Sequence, residues 1–283
     1  METMKIACPT CGPDIAPTFH SVRSGFRIVA CPSCKLVFLE TYEDEINNEF
    51  YADAEAVSVD QRENKDAIEY WSYPEFFDKY DFVFERFFEQ RWQTLHAAFP
   101  KLRSLLDVGC GYGFFLDYVK DRVPTLKGLE LDPKVAAYAQ NARGLDVSSI
   151  PIENYDAPAP FDCITMCDVL EHLRDPVMVL NHCRSTLSDE GIIYIQAPNL
   201  VGFRLPTGHG WGLPHHIWQF GPSSLCALLE KTGFEVLGWS TGVLGVIGAY
   251  ENGGPTIAQR LVWSLAQTLK IGNRLAMVAR KRA

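Results

Sequence analysis

The sequence predicts an α/β protein, a seven-stranded doubly wound sheet preceded by a small metal-stapled unit. Three observations carry this. The run Leu105-Leu106-Asp107-Val108-Gly109-Cys110-Gly111-Tyr112-Gly113-Phe114-Phe115-Leu116 reads as a short apolar strand with an acid near its end, a glycine turn and the first turn of a helix. From Leu105 onward, strand-like apolar runs alternate with helical periodicities, the pattern of parallel strands covered by helices on both faces. Cys8-Pro9-Thr10-Cys11 and Cys31-Pro32-Ser33-Cys34 stand nineteen residues apart, a spacing at which four thiolates can meet tetrahedrally around Zn²⁺.

Composition bounds the rest. A chain of 283 residues accommodates one large domain and one small one, here divided as 1–40, 41–99 and 100–283. With 47% hydrophobic residues and seventeen Phe it can bury a substantial core. Lys+Arg 26 against Asp+Glu 35 gives a net charge of −9, a poor field for a polyphosphate partner. No apolar run reaches eighteen residues and no basic-then-apolar leader opens the chain, so a cytoplasmic protein without a transmembrane segment is expected. Nine cysteines, an odd number, fit a reducing compartment better than a disulfide framework.

The first forty residues are too few to fold on apolar burial alone, so metal would supply the missing folding energy. Four protein ligands make that zinc site closed, hence structural. Strands are expected at Phe26–Ala30 and Lys35–Leu39. From Glu40 to Glu69 there are eleven acids against Arg62 and Lys65, which reads as a solvated connector. Phe76, Tyr80, Phe84, Phe88 and Trp92 then recur every four residues after Pro74, an aromatic helical stripe of the kind that packs a core.

The glycine turn is the chemical centre. Glycines between strand and helix let a ligand lie against bare backbone. A dinucleotide fingerprint needs its third glycine three residues after the second, where Phe114 stands, so NAD is disfavoured. Nineteen residues beyond Gly111, Lys127-Gly128-Leu129-Glu130-Leu131-Asp132-Pro133 offers a strand ending in Glu130, placed to accept from ribose hydroxyls. Asp107, the glycines and Glu130 together suit an adenosine with a cationic tail and no phosphates.

These motifs resemble the class I S-adenosylmethionine (SAM) dependent methyltransferases. LLDVGCGYGFFL matches the family's first motif, GLELDP its second, and FDCITMCDVLEHLRDP its fourth-strand segment. The resemblance covers roughly residues 100–283 and implies a Rossmann-like sheet with its last strand antiparallel, ending in Val278-Ala279-Arg280-Lys281-Arg282. It implies SAM as cofactor, held by Asp107, Gly109, Cys110, Gly111, Gly113, Glu130 and Leu131. Glu153 and Asn154 then fall near adenine, and Cys167 and Asp168 near the methionyl part. Helices ahead of the first motif cover the pocket in this family, which brings in Tyr70, Tyr73 and Tyr80. The cysteine pairs, the "C..C.LVF" ending and Tyr51 resemble, more loosely, zinc-ribbon methyltransferases of bacterial surface sugars and secondary metabolites.

Strands are expected at 105–108, 126–130, 146–148, 163–167, 192–196, 234–239 and 274–279. Between the fifth and sixth lies a long loop, Pro198 to Pro222, carrying His209, His215 and His216 with Trp211 and Trp218; long ordered loops tend to be functional. A metal site there lacks a nearby carboxylate, so an acceptor pocket lined by Trp211, Trp218 and Phe220 is favoured. The segment HHIWQF resembles a run in sugar C-methyltransferases whose histidine acts as base. His216 falls on that histidine, and His215 replaces a residue that is often glutamate. Glu171-His172 admits two readings, packing the floor of the site or acid–base chemistry, and the first is favoured. Helix 255–270 places Ile257, Leu261, Leu265 and Leu269 on one stripe, expected to fold onto the sheet, with a peripheral membrane contact as the lesser alternative. Three functions compete: methyl transfer to a small molecule such as a nucleotide-sugar, an RNA methyltransferase gripping nucleic acid with its zinc ribbon, and a non-catalytic scaffold. The acidic balance argues against the second and the intact glycines against the third.

Overall fold

The computed structural model describes residues 4–42, 74, 81–202, 211–243 and 256–282. Most of the acidic connector, with Tyr51, Tyr70, Tyr73, Phe76, Tyr80 and His209, lies outside the described residues. The central sheet is built from β6 (Ser104–Val108), β7 (Thr125–Leu129), β8 (Val147–Ser148), β9 (Phe161–Cys167), β10 (Leu187–Pro198), β12 (Phe234–Gly242) and β13 (Arg274–Lys281). Their order is β12-β13-β10-β9-β6-β7-β8. β13 is antiparallel to both neighbours, whereas β6 to β10 pair in parallel. Because it runs backwards, β13 begins where the others end, and Arg274 stands opposite Pro198 and Gly242.

The helices are α1 (Asp81–Ala98), α2 (Phe114–Val119), α3 (Pro133–Arg143), α4 (Pro176–Thr186), α5 (Pro222–Lys231) and α6 (Ile257–Thr268). Three of them start on proline at the first turn, where its missing N–H costs nothing. Asp132 caps α3 by accepting from the main-chain N–H groups of Lys134 (2.8 Å) and Val135 (3.3 Å), and Asp175 caps α4 from Met178 (2.8 Å). The two Asp-Pro pairs of the sequence are thus helix starts at the carboxyl edge of the sheet.

Alternation along each strand sorts the core into two layers. Leu105, Ile192, Tyr194, Ala276 and Val278 face one way, against Leu95 of α1 and Phe115 and Leu116 of α2. Leu106, Val108, Ile193, Ile195, Leu275 and Met277 face the other, against Leu180 of α4 and Leu225 and Leu228 of α5. The same second layer contains Val29, Leu36, Phe38 and Leu39 from the amino-terminal segment.

The amino-terminal segment thus shares its core and one strand with the rest of the chain. The amino-terminal sheet consists of β2 (Thr18–Arg23), β3 (Phe26–Ala30), β4 (Val37–Leu39) and a fourth strand, β11 (Trp218–Gln219), lent by the long loop after β10. Trp218 pairs with Phe38 and Gln219 with Val37, and the Phe38 and Trp218 rings lie 5.6 Å apart. Two short strands, β1 (Met4–Lys5) and β5 (Thr41–Tyr42), close the unit. Lys231 Nζ, at the end of α5, donates to the Pro9 carbonyl at 2.9 Å. A two-residue strand has no periodicity to read, which is why β11 was not foreseen.

The two helical stripes differ in outcome: the described aromatics of α1 pack on the core as expected, whereas the stripe of α6 faces outward. On α1 the buried face runs Phe84, Arg91, Leu95, with Phe88 and Trp92 half-buried beside it. Residues four apart drift by about 40° per step around a helix of 3.6 residues per turn, so a strict every-fourth stripe cannot stay on one face. On α6 the packed residues are Trp263 and Ala266, with Val243. The Ile257, Leu261, Leu265, Leu269 stripe turns outward instead, Ile257 being 80% exposed. No helix among the described residues is long and apolar enough to cross a membrane.

A shared core predicts a single cooperative unfolding transition for the whole chain. Phe38→Ala should cost about 3–5 kcal/mol and lower that one transition in chemical denaturation monitored by tryptophan fluorescence. Two separate transitions, only the first shifted, would contradict the shared core.

Candidate active site

At the end of β6 the chain turns through Gly109, Gly111 and Gly113, with φ of +70°, +55° and +78°, a region costly for residues with a Cβ. Their roles divide by what a Cβ would meet. At Gly109 it would lie 2.3 Å from Val169 Cγ2, and at Gly113 2.4 Å from Leu145 Cδ1, so both glycines serve close packing. At Gly111 it would meet nothing within 4 Å. Gly111 is therefore the open stretch of backbone that a ligand can approach. Its N–H donates to Glu130 Oε2 at 2.9 Å, while Glu130 Oε1 accepts from the Asp132 N–H at 3.0 Å. Burial raises the Glu130 carboxyl above its ordinary range, opposed by those two N–H groups. Gly111 and Glu130 thus sit side by side at the carboxyl edge, which fits a ribose on a bare turn.

The other expected cofactor residues are placed as follows. Asp107 is buried and accepts from Thr165 Oγ1 at 2.5 Å. Burial raises its pKa, opposed by the Arg91 charge and the Thr165 hydroxyl. It supports the turn from beneath. The Cys110 thiol turns inward, since a Cβ on Gly128 would lie 2.6 Å from its Sγ; only its main chain belongs to the turn. Leu131 is exposed just beyond Glu130, and Glu153 and Asn154 are exposed on a 3-10 turn, Ile152–Asn154, after β8. Cys167 ends β9 and Asp168 follows it in the left-handed region, φ +55°.

Asp168 anchors a second constellation on the same edge. Its Oδ2 accepts from Gln196 Nε2 at 2.9 Å, and Arg274 Nε lies 3.3 Å from Oδ1. Glu171, on the next turn, is 1% exposed, and neither carboxylate oxygen has a hydrogen-bond partner among the described residues. Burial and the Asp168 charge push its carboxyl well above the usual range, with Arg274 opposing. The His172 and His216 rings meet edge to face, centroids 4.6 Å apart. The ligand atoms of Glu171, His172 and His216 all lie within 4.8 Å of one another. Burial brings His172 down to about 4, against the Asp168 charge. Burial, His172 and Arg274 bring His216 down to about 2. Both imidazoles are therefore neutral near pH 7. The structure brings together His172 and His216 as candidates, and His215, half-buried, is adjacent through its main chain, which hydrogen-bonds His172.

His216 is seated by Gly212, whose Cβ would fall 2.2 Å from His216 Nδ1 and whose carbonyl accepts from the His216 N–H at 2.7 Å. Of the residues expected at the acceptor, Trp211 keeps partial exposure and packs on β2, with Arg23 5.6 Å over its ring and His20 5.7 Å away. Trp218, 2% exposed, donates from Nε1 to the Leu173 carbonyl at 2.6 Å, and Phe220 is fully buried. Their place is in the core rather than on an open wall, because β11 carries them under the amino-terminal sheet.

The four cysteines also converge. The sulfur atoms of Cys8, Cys11, Cys31 and Cys34 lie within 4.8 Å of one another. Each pair is followed by a residue in the left-handed region, Gly12 at +83° and Lys35 at +66°, so both knuckles turn alike. Burial opposes ionisation at Cys31, but the Cys34 and Ser33 N–H groups bring its thiol to about 7. Four sulfur donors at one point suit Zn²⁺.

Sequence reasoning missed Arg91, Arg274 and Gly212. Arg91 is buried on α1 with its guanidinium 4.3 Å over the Phe115 ring, and the Cys167, Tyr194, Asp107 and Asp168 groups hold it charged against burial. An arginine in step with Phe84, Phe88 and Leu95 was its only signal. Arg274 reaches the site solely because β13 is antiparallel.

The glycine geometry makes a split prediction. Gly111→Ala should lower the melting temperature by only a few degrees, the left-handed residue costing roughly 1–2 kcal/mol, yet weaken nucleoside binding. Gly109→Ala should chiefly destabilise the fold, through Val169. Calorimetry and thermal melts of both variants check this, and the reverse pattern would refute the division.

Comparison with known proteins follows the same lines. Residues 77–238 match the family described as "Methyltransferase domain". A probable S-adenosylmethionine-dependent methyltransferase of Mycolicibacterium smegmatis is 28% identical over 141 residues, 47% of this chain and 52% of that protein. A ubiquinone biosynthesis O-methyltransferase of Idiomarina loihiensis is 30% identical over 151 residues, 47% of this chain and 62% of that protein. The chain thus spans about half to three-fifths of the length of these relatives. Among solved structures, a SAM-dependent methyltransferase from Archaeoglobus fulgidus has a TM-score of 0.52 at 22% identity, covering 71% of this chain and all of the other. The 1,6-didemethyltoxoflavin N1-methyltransferase of Burkholderia thailandensis, solved with S-adenosylhomocysteine, has a TM-score of 0.53 at 16% identity, covering 94% and 100%. These two likenesses speak for the fold alone. With more than half of its residues matched to that family and its Gly111–Glu130 cradle at the carboxyl edge, the chain belongs to the methyltransferase-domain family of SAM-dependent enzymes.

Proposed function

We propose that this chain transfers the methyl group of SAM to a hydroxyl of a small-molecule acceptor, and that Cys8, Cys11, Cys31 and Cys34 hold a structural zinc ion. The supporting observation is the convergence, on one sheet edge, of the Gly111–Glu130 cradle and the Glu171–His172–His216 cluster. SAM supplies an already activated methyl group, so the chain's residues have two tasks: alignment and removal of the acceptor's proton. The C–S bond breaks with its electron pair left on sulfur, the acceptor oxygen bonds to the methyl carbon, and the proton departs by way of the histidine cluster. His216 is the first choice for that role and His172 the second, with His215 positioning His172. Trp211 remains the candidate for the acceptor wall.

An oxygen acceptor is favoured because one relative named above is a ubiquinone biosynthesis O-methyltransferase. The nucleotide-sugar or secondary-metabolite precursor reading rests on HHIWQF, of which Ile217, Trp218 and Phe220 are core residues, leaving only the histidines to argue for it. RNA is disfavoured by more than net charge. Of the two arginines between the knuckles, Arg27 pairs with Glu40 at 2.7 Å and Arg23 stacks over Trp211, so neither presents a free phosphate contact.

Glu130→Ala should remove charge-assisted acceptors for the ribose, lowering SAM affinity by roughly 10- to 150-fold, about 1.5–3 kcal/mol, in titration calorimetry; unchanged affinity would refute the cofactor reading. His216→Ala should lower turnover by about 10²- to 10⁴-fold with SAM affinity nearly unchanged, measured as S-adenosylhomocysteine formed against a panel of phenolic, catecholic and nucleotide-sugar acceptors. Turnover surviving that change but abolished in His172→Ala would reverse the two roles. Elemental analysis should give one thiolate-bound zinc per chain, lost in Cys31→Ser/Cys34→Ser.

A further inference from the structure

We propose that Glu171, His172 and His216 form a second metal site, which binds a transition-metal dication distinct from the one at the four cysteines. The three donors come from two parts of the chain: Glu171 and His172 from the 3-10 turn Leu170–His172 after β9, and His216 from the loop that precedes β11. Their ligand atoms lie within 4.8 Å of one another. A cation about 2.0–2.2 Å from each nitrogen and oxygen therefore needs only a small inward rotation of the side chains.

The carboxylate makes the stronger case. Glu171 is 1% exposed, and both of its oxygens are without a hydrogen-bond partner among the described residues. A buried carboxylate normally has such partners, because leaving it bare is costly. The neighbouring charges do not remove the need. The nearby cation Arg274 has its Nε 3.3 Å from Asp168 Oδ1, and neither Glu171 oxygen accepts a hydrogen bond from it.

The surroundings are those of a ligand shell. The His172 ring is hydrogen-bonded to the His215 main chain, the kind of orienting contact that metal-bound histidines commonly have. The bare α-carbon of Gly212 lets the His216 ring sit where it does. Two imidazoles with one carboxylate select zinc, cobalt, iron or manganese over magnesium and calcium, which prefer all-oxygen sets. Three protein ligands leave a coordination position open, as in catalytic rather than structural sites.

This inference rests on the reading that the acceptor meets this cluster. The open position would take the acceptor oxygen and lower its pKa. With the ion bound, His216 would act as its ligand in place of accepting the proton directly, the proton would leave to water, and the oxygen would attack the methyl carbon while the electron pair of the C–S bond stays on sulfur.

The test is a cobalt titration of the chain carrying one equivalent of zinc, that of the cysteine site, with S-adenosylhomocysteine present. The result expected is saturable binding of one Co²⁺ per chain with visible d–d absorption and no near-ultraviolet thiolate-to-cobalt band, which would betray exchange into the cysteine site. Glu171→Gln and His216→Ala should each weaken that binding at least about tenfold, with melting temperature and S-adenosylhomocysteine affinity retained. Should Glu171→Gln fail to fold, His216→Ala alone decides. No saturable cobalt site in the wild type, or one that the folded variants leave undiminished, overturns the proposal. Cobalt binding that depends on these residues in a chain with no methyl transfer upholds the metal site and sinks the proposed function. Methyl transfer by a wild-type chain that binds no cobalt does the reverse.

Discussion

The pairing of β11 with β4 is the contact on which the rest of the molecule depends. Two residues, Trp218 and Gln219, add a fourth strand to the amino-terminal sheet, and by doing so fix the end of the long loop after β10. His216 lies two positions earlier and is held against His172 by that anchorage. Gln219 Nε2 donates to the carbonyls of Trp211 (2.8 Å) and His216 (3.2 Å), so the strand also closes the loop on itself. The four-cysteine unit is therefore more than an appendage. By ordering β3 and β4 it provides the edge to which the histidine loop is tied, and its Leu36, Phe38 and Leu39 complete one layer of the main core. Zinc at the cysteines would act on the reaction through this route, at a distance, by stiffening the wall that carries His216.

A second constraint comes from the reversed β13. A parallel final strand would end at the site; this one begins there, delivering Arg274 to Asp168. The tight fit between neighbouring backbones at that corner, where a Cβ on Gly202 would lie 2.3 Å from the Gly272 carbonyl oxygen and Asn199 Nδ2 donates to that carbonyl at 2.8 Å, holds the start of β13 against the loop after β10. Ion pair and corner together shape the floor beneath Glu171. The two halves of the site thus have different origins: the cofactor cradle is local, made within twenty-odd residues of the first glycine turn, while the histidine cluster is assembled from strands and loops far apart in the chain.

That difference explains what could be read from the residues. The cradle was legible because strand, glycine turn, helix and Glu130 follow one another in sequence, and the Asp-Pro helix starts mark the same edge. Even there, composition did not separate Gly111, which faces open space, from Gly109 and Gly113, which serve packing. The cysteine unit was legible from its spacing alone, but its dependence on β11 was not. The long loop itself carries no carboxylate near its histidines; Glu171, forty-five positions before His216, supplies one across space. Likewise the α6 stripe had the right period but no indication of which face the sheet would cover, and Trp263 took the inner side.

The central claim is that cofactor cradle and histidine cluster serve one reaction centre. A crystal structure of the full chain with S-adenosylhomocysteine tests it most directly. The account predicts ribose hydroxyls on Glu130, the ligand against Gly111, and the homocysteine sulfur directed toward the Glu171–His172–His216 cluster with room for an acceptor between them. A sulfur atom turned away from that cluster, or separated from it by packed core, would contradict the account.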